Sequence, residues 1–472
     1  MTLVAGVDSS TQSCKVLVVD AGTGEVVREG RAPHPDGTSV DPNAWWDALL
    51  AAIESAGGLD DVAAISIGAQ QHGMVCLDEN GEVVRDALLW NDTRSHTAVD
   101  ALNADLGADE WVRRTGLSLL PSYTVTKVRW MADNEPENAA RTAAVALPHD
   151  YLTWRLRGFG PGNADLEALT TDRSDVSGTG YWSGTTEDYD FELFELALGH
   201  RAILPKVLGP TETAGTTADG IPGVPAGLPI GVGAGDNAAA GLALQLEVGD
   251  AVMSLGTSGT VYARTDRPVQ DEQRVHASFA DCTGDHLPLA ATLNAARDLD
   301  VVGRLLGLDH DELADLALTA EPGADGLALL PYFTGERTPN LPDARGSLHG
   351  LTLDNLTTAN LARATVEGML ASQVVMLDAL SRLGVPVHRL LLIGGAADNA
   401  AVRDVLPRLV DVPVEVPEPG EYVALGAAMQ AAAVLAGEFP AWEKDRVALE
   451  RPGLDPVVTD QHASAKAALG YA

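Results

Sequence analysis

Positive charge is scarce in this chain. Only 31 Lys and Arg stand against 67 Asp and Glu, leaving a net charge of −36 and a pI of about 4.4. Nucleic acid and anionic membrane surfaces are polyanions, so charge excludes both as partners. A solvated acidic surface accounts for the excess without a basic partner. Any phosphate-handling site must then bring its own cation, from a few Lys or Arg or from a metal. Cysteine is scarce too. Cys14, Cys76 and Cys282 are odd in number and far apart, with no CxxC pair. That argues against a disulfide framework or a zinc site and fits a reducing cytoplasm. The opening MTLVAGVDSS has no basic n-region, so no secretory signal is expected. The longest bland apolar tract, VALGAAMQAAAVLAG (423–437), is too short to span a bilayer and reads as a buried helix.

Several catalytic signatures are also missing. There is no GxxxxGK[ST], so this is not a P-loop protein. There is no GxSxG elbow and no HExxH. GVGAGD (231–236) nearly makes a dinucleotide-binding GxGxxG, but Asp236 stands at the third glycine. A carboxylate there repels a pyrophosphate and spoils close strand–helix packing, which excludes that reading.

What is present alternates. KVLVVD, GEVVREG, DVAAISIGAQ, GMVCLDENGEVV and AAVALP read as strands. DPNAWWDALLAAIESA, SHTAVDALNADLG and TVTKVRWMADNEPENAAR read as helices. The class is α/β, and 472 residues are too many for one compact core, so two domains or three are expected. A Gly/Pro-rich passage, GPTETAGTTADGIPGVPAGLPIGVGAGDN, precedes a second α/β stretch. VAGVDSSTQSCKVLVVD and AVMSLGTSGTVYAR are both strand, small polar turn, strand, about 250 residues apart. One such hairpin in each half is what a duplicated domain would show.

A turn of Gly, Ser and Thr aims backbone N–H groups and hydroxyls at one point and so favours anions. Two of them, facing each other, would grip a nucleotide's phosphates from both sides. Asp8 ends the first strand beside one of these turns. A carboxylate beside phosphates needs a cation between them, and Mg²⁺ held through water fits. Lys15 is the only cation of that hairpin, and either reaches phosphate or is an exposed strand lysine. Asp236 lies where a strand runs into an alanine-rich helix. It is either a helix N-cap or, given the small residues around it, a carboxylate in a substrate pocket. Gln70, Gln71 and His72 follow a strand, and LLWNDTR (88–94) puts an aromatic beside an amide and an acid. Both groups suit a polyol.

In order along nearly the whole chain, these segments resemble the FGGY carbohydrate kinases. GVDSSTQSCKVLVVD and SLGTSG are similar to that family's two phosphate hairpins. QQHGM and LWNDTR are similar to its sugar-site segments, and KVRWMADNEPE, LPHDYLTWRLRG and TTDRSDVSGTGYW to the body of its first domain. GAGDNAAAG resembles the segment with the catalytic aspartate, and LLIGGAADNAAVRDVL the adenosine loop and helix. The resemblance implies a duplicated actin-like, hexokinase-like (ribonuclease H-like) α/β ATPase fold. Two domains, 1–244 and 245–472, would enclose a central cleft.

It further implies ATP and Mg²⁺, with Asp236 as general base and Asp8 holding the metal through water. Gln71, His72, Trp90, Asn91, Asp92 and Asn237 would bind sugar. Ser10, Thr11, Gln12, Lys15, Gly256, Thr257 and Ser258 would line the phosphates. Gly394, Gly395, Ala396 and Asn399 would lie against adenosine and the α-phosphate. The loop here reads GGAADN, with Ala396 where a third glycine is usual and Asp398 where lysine is frequent. Gln71 stands where methionine is frequent. QQHG, LWND and LPYFTGERTPN (330–340) most resemble the branch acting on D-xylulose, which implies ATP-dependent formation of D-xylulose 5-phosphate. Other sugars or polyols of the family (ribulose, gluconate, glycerol) are the near alternatives. A conformational ATPase or a silent sugar sensor are the distant ones. The family's dimers suggest a homodimer.

Overall fold

The computed structural model describes residues 1–471. Two seven-stranded sheets organise it. The first is built on the strand Leu3–Ser9, buried along its whole length. It pairs antiparallel with Ser13–Asp20, which pairs antiparallel with Val26–Pro33. On its other side it pairs parallel with Val62–Ala69. The Gly/Pro-rich passage supplies the far edge, where Thr213–Thr216 and Pro229–Gly231 join the sheet and Ala234–Gly235 adds a short parallel pairing to Val62–Ala69.

The second sheet repeats the plan. Asp250–Leu255 pairs antiparallel with Gly259–Ala263 across the Gly256–Thr257–Ser258 turn, and parallel with Arg389–Ile393. The two hairpins therefore occupy equivalent places in two similar sheets, as a duplication requires.

Local chemistry explains most boundaries. Helix Pro42–Ser55 starts with proline at its first position, and Asp41 caps it by accepting the Asn43 N–H at 2.9 Å. TVTKVRWMADNEPENAAR is two helices, Thr124–Asn134 and Pro136–Arg141, because Pro136 ends the first and opens the second. GMVCLDENGEVV keeps only Val75–Leu77 as strand and then turns back on the Asp78 carboxylate, which accepts the Asn80 and Glu82 N–H groups.

The alanine-rich tract is the helix Tyr422–Ala436. It packs on the first sheet although in sequence it lies among the strands of the second. A Cβ on Gly6 would fall 1.9 Å from the Ala424 carbonyl oxygen, and one on Gly426 1.9 Å from that of Ala239. The main hydrophobic core likewise runs continuously from Val4 and Val19 through Ala239 to Val252, Tyr262 and Leu391. The three cysteines are free and buried. Among the described residues no helix is long and apolar enough to cross a membrane.

Candidate active site

Strand register sets the site. Asp8 pairs with Gly68 and Ser9 with Ala69, while Ala234 and Gly235 pair with the same two residues from the other side. Asp8, the run Gln70–Gln71–His72 and Asp236 therefore leave the first sheet together, at the carboxyl ends of three parallel strands. Asp236 opens the helix Asp236–Ala243, and Gly235 holds the cap position, so the carboxylate is not the N-cap. It turns to Asn237, whose backbone N–H and side-chain amide both donate to Oδ1 at 2.8 Å. Burial raises Asp236 to about 6 against those two hydrogen bonds.

Asp8 is pushed further, to about 7, chiefly by burial. Lys15 opposes the rise, and the charges of Asp236 and Glu421 add to it. Its Oδ1 is buried with no partner, while Oδ2 takes only a long 3.4 Å contact from the Ser10 hydroxyl. An unpartnered buried carboxylate oxygen near two more carboxylates is a cation-seeking arrangement. The residues thus fit a hard divalent ion.

His72 and its neighbours, expected to face sugar, follow from the next strand of the sheet. The His72 backbone lies in the left-handed region, with φ of 69°, which is uncommon for a side-chain-bearing residue. Its carbonyl oxygen accepts from Lys127 Nζ at 2.8 Å, and its Nδ1 meets the Gly178 carbonyl oxygen at 2.9 Å. A carbonyl only accepts, so Nδ1 carries the proton. Burial first, then the Lys127 and Arg337 charges, hold the ring well below its ordinary pKa and therefore neutral. Nε2 is left as an acceptor.

The ring packs edge-on to Tyr123 at 5.2 Å and lies 5.7 Å from Phe279, which belongs to the second sheet. Trp90 donates to the Thr11 hydroxyl at 2.9 Å, tying the aromatic to the first turn. Asn91 beside it is exposed. Asp92 is committed inward, to the Arg94 N–H groups and to the Thr38 hydroxyl at 2.7 Å. It therefore organises its loop. Gln71 is buried, and its amide donates to the Ser174 carbonyl oxygen at 3.0 Å.

The residues expected to line the nucleotide lie at corresponding strand ends of the two sheets. Ser10 and Thr11 are half-buried and Gln12 is exposed in the first turn; in the second, Gly256 is half-buried and Thr257 and Ser258 are exposed. Ser254 pairs with Ile393, so the glycine loop leaves the second sheet beside its hairpin. Gly394, at φ of 92°, lies so close to Leu255 that a Cβ would come 2.7 Å from its backbone, whereas Gly395 faces open space. Ala396 is buried. Asn399 caps the helix Ala400–Leu409, its side-chain oxygen accepting the Ala401 and Val402 N–H groups. Asp398 pairs with Arg403. Lys15 is ion-paired to Glu421 and lies 4.0 Å from Asp8.

Comparison with known proteins completes this picture. The sequence matches the N-terminal domain of the FGGY family of carbohydrate kinases over residues 3–243 and the C-terminal domain over residues 251–435. The chain belongs to the FGGY family of carbohydrate kinases. It is 49% identical over 445 residues to a xylulose kinase of Streptomyces coelicolor, covering 92% of this chain and 89% of that one. A xylulose kinase of Streptomyces rubiginosus is 49% identical over 452 residues, 93% of this chain and 89% of that one. The crystal structure of xylulose kinase from Bifidobacterium adolescentis superposes with a TM-score of 0.92 at 48% identity, covering 98% of this chain and 99% of that one. The FGGY kinase is thus an ATP-dependent sugar kinase of the actin-like, hexokinase-like fold.

Three residues in this site have no role assigned from the sequence, although Arg337 and Ser174 lie within the family-like segments LPYFTGERTPN and TTDRSDVSGTGYW. Arg337, from the C-terminal half, places its charge near Tyr123 and His72. Glu421 occupies Lys15 from the loop before the alanine-rich helix. Ser174 joins Gln71 to Gly235. Each reaches its place through a contact distant in sequence.

Proposed function

We propose that this kinase transfers the γ-phosphoryl group of ATP to D-xylulose, forming D-xylulose 5-phosphate and ADP. The observation that carries the reading is the meeting of Asp236, His72 and Asp8 at one sheet end, in a chain so close to xylulose kinases across nine-tenths of its length. Residues 1–244 supply sugar site and base, and residues 245–472 the second phosphate turn and adenosine loop.

The chemistry follows from the side chains. Asp236 Oδ1 is occupied by Asn237, so Oδ2 takes the proton of the sugar's terminal hydroxyl. That oxygen forms a bond to the γ-phosphorus as the bond to the β-bridging oxygen breaks and ADP leaves. A carboxylate at about 6 is ionised at neutral pH yet closer to the hydroxyl in proton affinity than an exposed aspartate. His72 Nε2 accepts a hydrogen bond from a sugar hydroxyl, and Asn237, Trp90 and Asn91 complete the pocket. The turns at 10–12 and 256–258 cradle phosphates, with Lys15 beside the first. Gly395, Ala396 and Asn399 border adenosine, and Gly394 keeps their loop against Leu255. Asp8 would hold Mg²⁺ through water, and such an ion neutralises phosphate charge as it develops.

The test is ADP release with Mg²⁺–ATP and D-xylulose, D-ribulose, L-ribulose, glycerol, gluconate or no sugar. Selective release with D-xylulose supports the assignment. Selectivity for another polyol moves the substrate, and sugar-independent turnover overturns the reading. Asp236→Asn is expected to lower kcat by roughly 10²–10⁴-fold while ATP still binds.

A further inference from the structure

A second cluster of ionisable groups lies behind the site, wholly buried. His149 and Asp150 sit in the helix Pro148–Leu156, and Asp172 and Asp175 flank the start of the short helix Arg173–Val176. His149, Asp150 and Asp175 have no exposure, and Asp172 has almost none. His149 Nδ1 is hydrogen-bonded to Asp175 Oδ2 at 2.6 Å, and Nε2 lies 3.2 Å from Asp150 Oδ1, an ionic contact without hydrogen-bond geometry. With a carboxylate oxygen against each ring nitrogen, the doubly protonated ring suits the geometry. Burial alone would lower the imidazole, but Asp150, the hydrogen-bonded Asp175 and Asp172 together push it up to about 10. The two ring nitrogens diverge, Nδ1 toward Asp175 and Nε2 toward Asp150, so one ion cannot be ligated through both contacts, and the trio is treated as an ion cluster.

The cluster is wired to the sugar site along two routes. Asp172 accepts the Ser174 N–H and hydroxyl on Oδ2 at 2.8 and 2.6 Å, and the Asp175 N–H on Oδ1 at 3.0 Å. The Ser174 hydroxyl in turn accepts the Gly235 N–H at 3.0 Å, and its carbonyl holds Gln71. Four residues on from Ser174, the Gly178 carbonyl holds His72. The second route is direct packing. A Cβ on Gly233 would fall 2.3 Å from His149 Cδ2, so the imidazole rests on the backbone three residues before Asp236.

We propose that His149 is a positioning residue: its ring, clamped between Asp150 and Asp175, fixes residues 172–178 and through them sets Gly235–Asp236, Gln71 and His72 for the sugar. The effect on sugar use rests on the proposed function above; the structural effect does not. Without the cation, Asp150, Asp172 and Asp175 are left as buried like charges. Protonation or displacement relieves them, and the segment that holds three sugar-site residues loosens while the second sheet stays intact.

Hydrogen exchange tests this in the full-length protein, comparing wild type with His149→Gln, Asp175→Asn and His149→Lys. In His149→Gln and Asp175→Asn, exchange over residues 69–73 and 233–237 should rise by about tenfold or more, while residues 250–255 keep wild-type protection. Steady-state kinetics should show a sugar KM about tenfold higher with the ATP KM within about twofold, and His149→Lys, which restores the cation, should recover most of it. Unchanged exchange, or a uniform rise across both sheets, overturns the proposal, as does an equal loss of sugar and ATP affinity. If His149→Gln fails to fold, the near-isosteric Asp175→Asn decides by the same criteria. A wild type without sugar-dependent turnover would sink the proposed function, and the exchange arm would still decide this one.

Discussion

Two carboxylates titrate near neutrality in this site, Asp236 at about 6 and Asp8 at about 7. Bound Mg²⁺ would keep Asp8 charged, so at saturating Mg²⁺–ATP the limb belongs to the proposed base: protonated Asp236 cannot accept the hydroxyl proton, and kcat/KM for the sugar should fall on the acid side with a midpoint near 6. The Asn237 amide donates to the charged form and lowers the midpoint. Asn237→Ala should therefore move the acid limb to higher pH, read from pH–rate profiles of the two proteins. A limb near the ordinary aspartate value, or a downward shift in the variant, would separate the midpoint from Asp236. The sequence offered Asp236 as either cap or pocket carboxylate, and the structure removes the cap by giving that position to Gly235. Its raised pKa was not legible beforehand, because it comes from burial by segments far away in sequence. The inward commitment of Asp92 was hidden for the same reason: Thr38 reaches it across the fold.

Elements with strong local patterns were readable. The capped helix Pro42–Ser55, both strand–turn–strand hairpins and the alanine-rich helix formed where composition placed them. The strand Thr213–Thr216 was not, since it is a strand only by pairing at a sheet edge, whereas the strand read just before Asp236 is present as Pro229–Gly231 and Ala234–Gly235. The docking of the alanine-rich helix was equally invisible. Alanine and glycine announce burial but not the partner. Its backbone touches the first sheet and the helix Asp236–Ala243, so the fit has no flexible atom to move aside. Gly426→Val should cost about 3 kcal/mol or more, beyond ordinary overpacking, as read by urea unfolding. Gly437→Ala is the control. It meets open space at φ of 81°, so only its left-handed backbone is penalised, by about 1 kcal/mol. Equal losses for the two would mean that the helix is not seated against the helix Asp236–Ala243.

At the scale of the molecule, the charge of −36 opposes the approach of an anionic nucleotide. The first phosphate turn's own cation does little to offset this, because Lys15 is already paired with Glu421. Long-range repulsion is screened by salt within a Debye length of about 10 Å at 0.1 M. The rate of ATP capture, kcat/KM for Mg²⁺–ATP, should therefore rise as ionic strength goes from roughly 10 to 150 mM, opposite to a cation-lined cleft. Glu421→Gln removes one negative charge and frees Lys15 at once. It should lower the ATP KM by about two- to fivefold at low salt, the scale of a partly exposed ion pair, with a smaller effect at high salt. Sugar KM should stay put, since Glu421 lies by the phosphate turn and not by His72. An ATP capture rate that falls with salt, together with an unmoved ATP KM in Glu421→Gln, would show that the cleft's local field outweighs the acidic shell and that Lys15 is not the group Glu421 restrains.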